Sequence, residues 1–350
     1  MDSSSVQPLS LGGATLNVQY NANPEDIPLF DILKTALQTG ICNSIDTSPY
    51  YGDSEILYGR VLQKLGYCKA KNPFLRESLF VVTKCGRVKL DDFDYSFDAI
   101  KSSVNRSLER LFGSAKNDEY LDMVYLHDVE FQTKNQIMEA LSALREFKME
   151  GKVLRIGCSG YPLEVLYDVC LAYLVKYAEP LDGILTYSNG CLQNDLFFAH
   201  WIDKFRNDCK VDLLANGSIL SMSMLSQSDK GIKEFHPCQK ILKDVFDFKK
   251  QNPGNVILGN ILSKYNQKLP ILSTKFALVE AHKAKNIVTV LGISNLSEWQ
   301  DAEMVYRELE TKNFVLSSEE QCCIKEIHAF LKKQGVYRLT WESGLAATLK

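Results

Sequence analysis

The chain has 350 residues, enough for one large α/β barrel or two smaller domains, and length alone leaves that choice open. Its 43 acidic and 40 basic residues give a formal charge of −3, which argues against a nucleic-acid or anionic-membrane surface and leaves small neutral molecules as expected partners. Met1-Asp2-Ser3-Ser4-Ser5 shows no basic region followed by an apolar core, and no apolar run is long enough to span a bilayer, so a cytoplasmic protein without membrane contact is expected.

Short runs rich in Val, Ile and Leu alternate with longer stretches of helical period. A first strand is expected within residues 9–16. The helix after it, over 28–39, gathers Leu29, Ile32, Leu33 and Leu37 on one apolar face and stops at Gly40. The run 41–46 ends on Asp46 and leads through Thr47-Ser48-Pro49-Tyr50-Tyr51-Gly52 into a helix over 54–65, with Asp53 and Ser54 as its expected N-cap region. The run 79–84 ends on Lys84 and precedes a helix over 96–112; the run 123–127 ends on His127 and precedes a helix over 134–149. Further strands end near Ser159, Asn189, Ser218 and Gly292, with helices over 163–174, 274–285 and 297–309.

Two stretches break the rhythm. Residues 227–270 are mixed in charge and interrupted by Gly231, Pro237, Pro253 and Gly254, so they read as an elaborated loop and helix after the seventh strand; residues 317–350 add a terminal helix and tail. Eight strand–helix units in series, with no linker between them, predict a single (β/α)8 TIM-barrel domain over 1–350, its C-terminal-face loops shaping the site. The ten cysteines include no C-x-x-C pair and several lie in apolar runs, where a thiol acts as a small hydrophobe, so reduced structural thiols are expected. No metal site is evident, His200, His236, His282 and His328 being isolated from any ligand cluster.

Asp46, Tyr51, Lys84 and His127 stand at or just past the ends of consecutive expected strands. An acid, a phenol, an amine and an imidazole so delivered form a proton-transfer set for a carbonyl centre. Tyr51 is the expected general acid/base. A free phenol titrates at about 10, so its anion needs stabilising, which Lys84 is expected to supply while Asp46 holds the ammonium and damps part of its field. His127 is expected to orient the substrate oxygen. Each residue alone has an ordinary explanation: Asp46-Thr47-Ser48-Pro49 suits a turn, and strand-end polar groups often simply meet solvent.

The spacing Asp46-x-x-x-x-Tyr51, followed by Lys84 and His127, resembles the catalytic tetrad of the aldo-keto reductase superfamily. Gly12-Gly13-Ala14-Thr15-Leu16, the run 151–160 and Leu291-Gly292-Ile293-Ser294-Asn295 fall in that family's order. Ser159-Gly160-Tyr161-Pro162-Leu163, Glu234-Phe235-His236-Pro237 and Thr340-Trp341-Glu342-Ser343-Gly344 resemble its branch of aldose dehydrogenases. The resemblance implies a nicotinamide cofactor bound in extended form, consistent with the absent G-x-G-x-x-G fingerprint. Gly13 and Ala14 would lie at that cofactor, Ser159 would bond the carboxamide, Tyr187 would stack on the ring and Ser218 would approach the pyrophosphate. Gly160 stands where the family usually has Asn, and the usual Gln on the next strand is absent.

Gly292, Ser294, Asn295 and Glu298 begin a helix where NADP-preferring relatives place Lys or Arg. A carboxylate repels a 2′-phosphate but accepts a bond from a ribose hydroxyl, which points to NAD; a first-turn glutamate that merely favours the helix dipole is the other reading. Tyr50 is expected in the substrate wall. Trp341 is either an apolar wall near C5 of a sugar or packing for the tail. The activity implied is NAD-dependent oxidation of a D-arabinose, L-fucose or L-galactose type of aldose at C1 to the lactone, as in ascorbate-type pathways. An NADPH-dependent carbonyl reductase and a cofactor-binding regulatory subunit are the alternatives.

Overall fold

A computed structural model describes residues 6–113, 119–227 and 231–345. Residues 1–5, read above for a leader, residues 228–230 of the long insertion and the end of the tail, 346–350, lie outside the described residues.

The strands, in chain order, are β1 (Leu9–Gly12), β2 (Cys42–Asp46), β3 (Phe80–Cys85), a hairpin of β4 (Arg87–Lys89) and β5 (Asp92–Phe93), β6 (Met123–His127), β7 (Ile156–Gly160), β8 (Gly183–Tyr187), β9 (Leu213–Gly217) and β10 (Ile287–Gly292). Without the hairpin they close into a parallel barrel in the order β1-β10-β9-β8-β7-β6-β3-β2. The helices are α1 (Leu29–Gln38), α2 (Ser54–Leu65), α3 (Pro73–Ser78), α4 (Phe97–Phe112), α5 (Lys134–Met149), α6 (Leu163–Tyr177), α7 (Ile202–Asn207), α8 (Lys240–Phe246), α9 (Pro253–Lys264), α10 (Leu269–Ala284), α11 (Leu296–Thr311) and α12 (Ser318–Lys333). This is the (β/α)8 architecture expected from the alternation of runs, and no helix among the described residues is long and apolar enough to cross a membrane.

Period-two geometry explains why the strand ends carry chemistry. Phe80 and Val82 of β3, Met123 and Tyr125 of β6, Leu185, Leu213, Ala215 and Val288 form an apolar cluster of their own, separate from the large cluster between strands and helices. Side chains two apart share a face of a strand. The same face therefore runs on from Val82 to Lys84, from Tyr125 to His127 and from Leu185 to Tyr187. The barrel is filled below and polar at its C-terminal rim. At Gly157 a β-carbon would lie 2.0 Å from the carbonyl oxygen of Gly183 and 2.6 Å from the Met123 methyl, so the absent side chain is what lets Met123 fill that layer.

Several boundaries differ from expectation for identifiable reasons. β1 stops at Gly12 and the chain turns through a 3-10 segment, Gly13–Thr15. A β-carbon on Gly13 would sit 2.3 Å from Ser54 Oγ, so the chain crosses the rim there in close contact with the start of α2. Asp53 holds the N-cap position of α2 but makes no side-chain cap bond. The Ser54 hydroxyl instead bonds Thr47 Oγ1 at 2.7 Å, tying the helix to the loop that carries Tyr51. The insertion contains two helices, α8 and α9, and α10 begins earlier than residue 274 because Pro270 sits in its first turn, where a missing N–H costs nothing. Residues 197–207 were not read as helical; a π-helical Phe197–Trp201 precedes α7 and breaks the 3.6-residue spacing. The insertion, α12 and the tail share a second core that includes Leu242, Phe246, Ile327, Leu331, Tyr161 and Trp341.

Candidate active site

Asp46 and His127 end β2 and β6, Lys84 is the last residue but one of β3, and Tyr51 descends from the loop after β2 to meet them. Lys84 Nζ donates to Asp46 Oδ1 at 2.5 Å and to the Thr47 carbonyl at 3.1 Å. It lies 4.9 Å from the Tyr51 ring centroid, and the Tyr51 and His127 rings meet edge to face with centroids 5.5 Å apart. All four expected catalytic residues are thus brought together. The Lys84 and Asp46 side chains are only 1 % and 6 % exposed, so their pairing is the condition for burying either charge.

His127 is held from several sides. Its Nδ1 bonds Ser48 Oγ at 3.0 Å, and that oxygen also accepts from the Tyr50 amide at 3.1 Å. The Asp128 carboxylate faces Nε2 at 3.6 Å, and the Tyr95 hydroxyl donates to the His127 carbonyl at 2.8 Å. A hydrogen from Ser48 to Nδ1 leaves the ring proton on Nε2, which the carboxylate also favours. Burial, then Lys84 and Arg87, hold the imidazole well below its usual range. It is a neutral hydrogen-bond donor at the rim.

The Tyr51 phenol departs from expectation. Its titration is pushed well above the usual range by burial first and then by Asp46 and Asp128, against the pull of Arg87. Lys84 meets the face of the ring and is paired with Asp46, and burial outweighs its field, so the phenol is not lowered as anticipated. In this arrangement Tyr51 keeps its proton.

Arg87 and Asp128 were not singled out from sequence. Arg87 pairs with Asp128 and lies 4.1 Å over the Tyr50 ring, whose hydroxyl accepts from Gln19 at 3.2 Å. Tyr50 in turn stands 5.6 Å from His127. The signal for Asp128 was its position directly after His127; Ser48 and Thr47 were visible only as turn formers.

The remaining candidates fall around the same rim. Ser159, on β7 beside His127 in register, donates to the Leu126 carbonyl at 3.1 Å. The space a Gly160 side chain would need is taken by Glu130 Oε2, 2.3 Å from an ideal β-carbon. Glu130 Oε1 accepts from the Tyr161 amide and the Ser343 hydroxyl, each at 3.0 Å, which latches the tail to the turn after β6. Burial and then Asp128 push that carboxyl up to about 8. Tyr187, half-buried at the end of β8, faces Tyr161 at 5.4 Å.

Trp341 stacks on Tyr161 at 4.3 Å with His236 at its edge and is 6 % exposed. It packs the tail and backs Tyr161, and its ring does not form an open wall. Ser218 is left-handed (φ +55) and accepts from the Met222 amide at 2.7 Å. Thr15, next to Gly13 and Ala14, donates to the Ile293 carbonyl at 2.9 Å, and Asn21 donates to Ser294 Oγ at 2.9 Å. Gly13, Ala14, Gly292 and Ser294 therefore share one side of the rim. Asn295 caps α11, accepting from the Glu298 amide at 2.9 Å, while Glu298 Oε2 accepts from the Ser294 amide at 2.7 Å.

A model of the aldo/keto reductase family matches residues 8–320. The D-arabinose 1-dehydrogenase of Saccharomyces cerevisiae is 37 % identical over 98 % of this chain and 96 % of its own. The L-galactose dehydrogenase of Arabidopsis thaliana is 30 % identical over 97 % of this chain and 94 % of its own. The glycerol dehydrogenase of Gluconobacter oxydans is similar in fold, with a TM-score of 0.63 at 18 % identity over 97 % of this chain and 95 % of that one.

Proposed function

The chain belongs to the aldo/keto reductase family, and from that premise we propose that it is a cytoplasmic, NAD-dependent aldose 1-dehydrogenase, one domain from end to end, that oxidises the cyclic sugar at C1 to the lactone. The observation that carries the chemistry is the meeting of half-buried Tyr51 with buried Lys84, Asp46 and His127 at one point of the rim. His127 Nε2–H holds the C1 oxygen, Tyr51 exchanges that oxygen's proton, and Lys84, fixed by Asp46, keeps the Tyr51 ring in place from its face. The substrate class rests on the near full-length likeness to the two named sugar dehydrogenases.

The rim also suits a dinucleotide. Tyr187 offers a half-buried aromatic face at the end of β8, two residues past Leu185, the register partner of Ser159, and together they suit a flat ring with a carboxamide. Gly13, Ala14, Gly160, Ser218, Gly292, Ser294 and Asn295 line the rest of the path proposed for it. Bound there, the nicotinamide supplies the hydride acceptor. Glu298 supports NAD in particular: its carboxylate, in the first turn of α11 and bonded to the Ser294 amide just before the cap, puts a negative charge where an anion would otherwise approach the helix. A 2′-phosphate would meet a negative charge. We expect kcat/KM to favour NAD over NADP by at least about tenfold, about 1.4 kcal/mol, and Glu298→Arg to erode that preference. Equal efficiency with both cofactors contradicts the assignment.

D-Arabinose, L-fucose and L-galactose share one configuration from C2 to C4 and, as pyranoses, differ in what C5 carries. A site bonding those hydroxyls accepts all three, because an unpaired polar group costs more than an added methyl. Steady-state kinetics is expected to show turnover of all three and weak turnover of D-glucose. Equal use of D-glucose, or activity confined to simple aldehydes, overturns the sugar reading.

A further inference from the structure

Asp128 breaks the strand pattern in a way that serves the rim. Consecutive residues of a strand point to opposite faces, so the residue after His127 would ordinarily turn away from it. Asp128 instead adopts left-handed backbone angles, φ +59 and ψ 62, and its carboxylate Oδ2 comes back to lie 3.6 Å from His127 Nε2. Residues other than glycine adopt that conformation sparingly, and such strain gathers at ligand sites.

The carboxylate is also held in place. Arg87 pairs with Oδ2 and is tied to its own hairpin by bonds to the Leu90 carbonyl at 2.7 Å and the Lys89 carbonyl at 3.3 Å, while stacking on Tyr50. Arg87 is therefore an anchor. The Asp128 side chain is 4 % exposed; burial pushes its titration up while the Arg87 guanidinium pulls it back, so the pairing with Arg87 is what supports a charge beside the reacting position. The contacts from Arg87 and His127 both fall on Oδ2, leaving Oδ1 as the oxygen to offer a ligand.

We propose that Asp128 is a specificity-determining residue that accepts a hydrogen bond from the hydroxyl on the carbon next to the reacting one, the 2-hydroxyl of an aldose. This rests on the reading of the rim as a site for hydroxylated substrates. The oxygen that His127 Nε2 holds belongs to C1, and hydroxyls on adjacent carbons are spaced as neighbours. A carboxylate beside Nε2 then meets the second hydroxyl, and a substrate lacking it leaves a buried acceptor unpaired.

The test compares substrate pairs that differ only at that hydroxyl: D-arabinose against its 2-deoxy counterpart with NAD, and lactaldehyde against propanal with NADH or NADPH. The native protein is expected to favour the hydroxylated member by at least about tenfold in kcat/KM. In Asp128→Ala that ratio is expected to collapse toward one, while NADH binding, followed by fluorescence, is retained. If Asp128→Ala fails to fold, Asp128→Asn, which keeps a neutral partner for Arg87, decides the matter by a reduced ratio. A carboxylate that only anchors the hairpin would lower both members of a pair alike and leave the ratio unchanged. That outcome overturns the proposal, as does a native protein with no preference in either pair. Preference for lactaldehyde with no turnover of D-arabinose would uphold Asp128 and remove the aldose reading alone.

Discussion

Tyr51→Phe is expected to lower kcat by at least about a hundredfold, the range that a positioned general acid/base supplies, while NADH binding stays nearly unchanged. The change deletes only the hydroxyl, and the edge-to-face contact with His127 persists. Retention of more than about a tenth of native kcat would remove Tyr51 from the proton path. The raised phenol also fixes the sign of the pH dependence. Oxidation needs the deprotonated phenol, which is scarce near neutrality, so kcat for oxidation should climb as pH rises into the alkaline range. Reduction uses the protonated phenol and should show no such climb. His127, held below its usual range, stays neutral across that interval and adds no acid limb there.

Asp46→Ala is expected to destabilise the protein by about 3–5 kcal/mol, because it strands the Lys84 ammonium in a nearly solvent-free site with the Thr47 carbonyl alone. Urea denaturation would measure it. Replacing both partners, as in Asp46→Leu with Lys84→Met, should recover much of that stability, since two removed charges cost less than one left unpaired. Both variants should lose turnover. A loss below about 1 kcal/mol in Asp46→Ala would show that the pair behaves like a solvated surface bridge.

The barrel and the meeting of Asp46, Tyr51, Lys84 and His127 at its rim were legible because both follow from local rules. Period-two alternation assigns Val82 and Lys84 to one face, and the apolar runs 41–46, 79–84 and 123–127 end where β2, β3 and β6 end or within a residue of it. What escaped depends on contacts between distant segments. Trp341 packs because Tyr161 supplies a parallel face, and Gly160 is a glycine because Glu130 fills its space, relations no linear spacing reveals. The direction of the Tyr51 shift was misjudged because burial depth and the position of Asp128 are properties of the folded rim. Asp128 itself reads as a strand's trailing residue until its left-handed backbone is seen.

The most direct measurement is made on the purified protein mixed with NAD and D-arabinose, following NADH and the sugar lactone together. Equimolar appearance of both, abolished by Tyr51→Phe, is the outcome expected of an NAD-dependent aldose 1-dehydrogenase. No NADH from D-arabinose, L-fucose or L-galactose, alongside ready NADPH-dependent reduction of simple aldehydes, would contradict it.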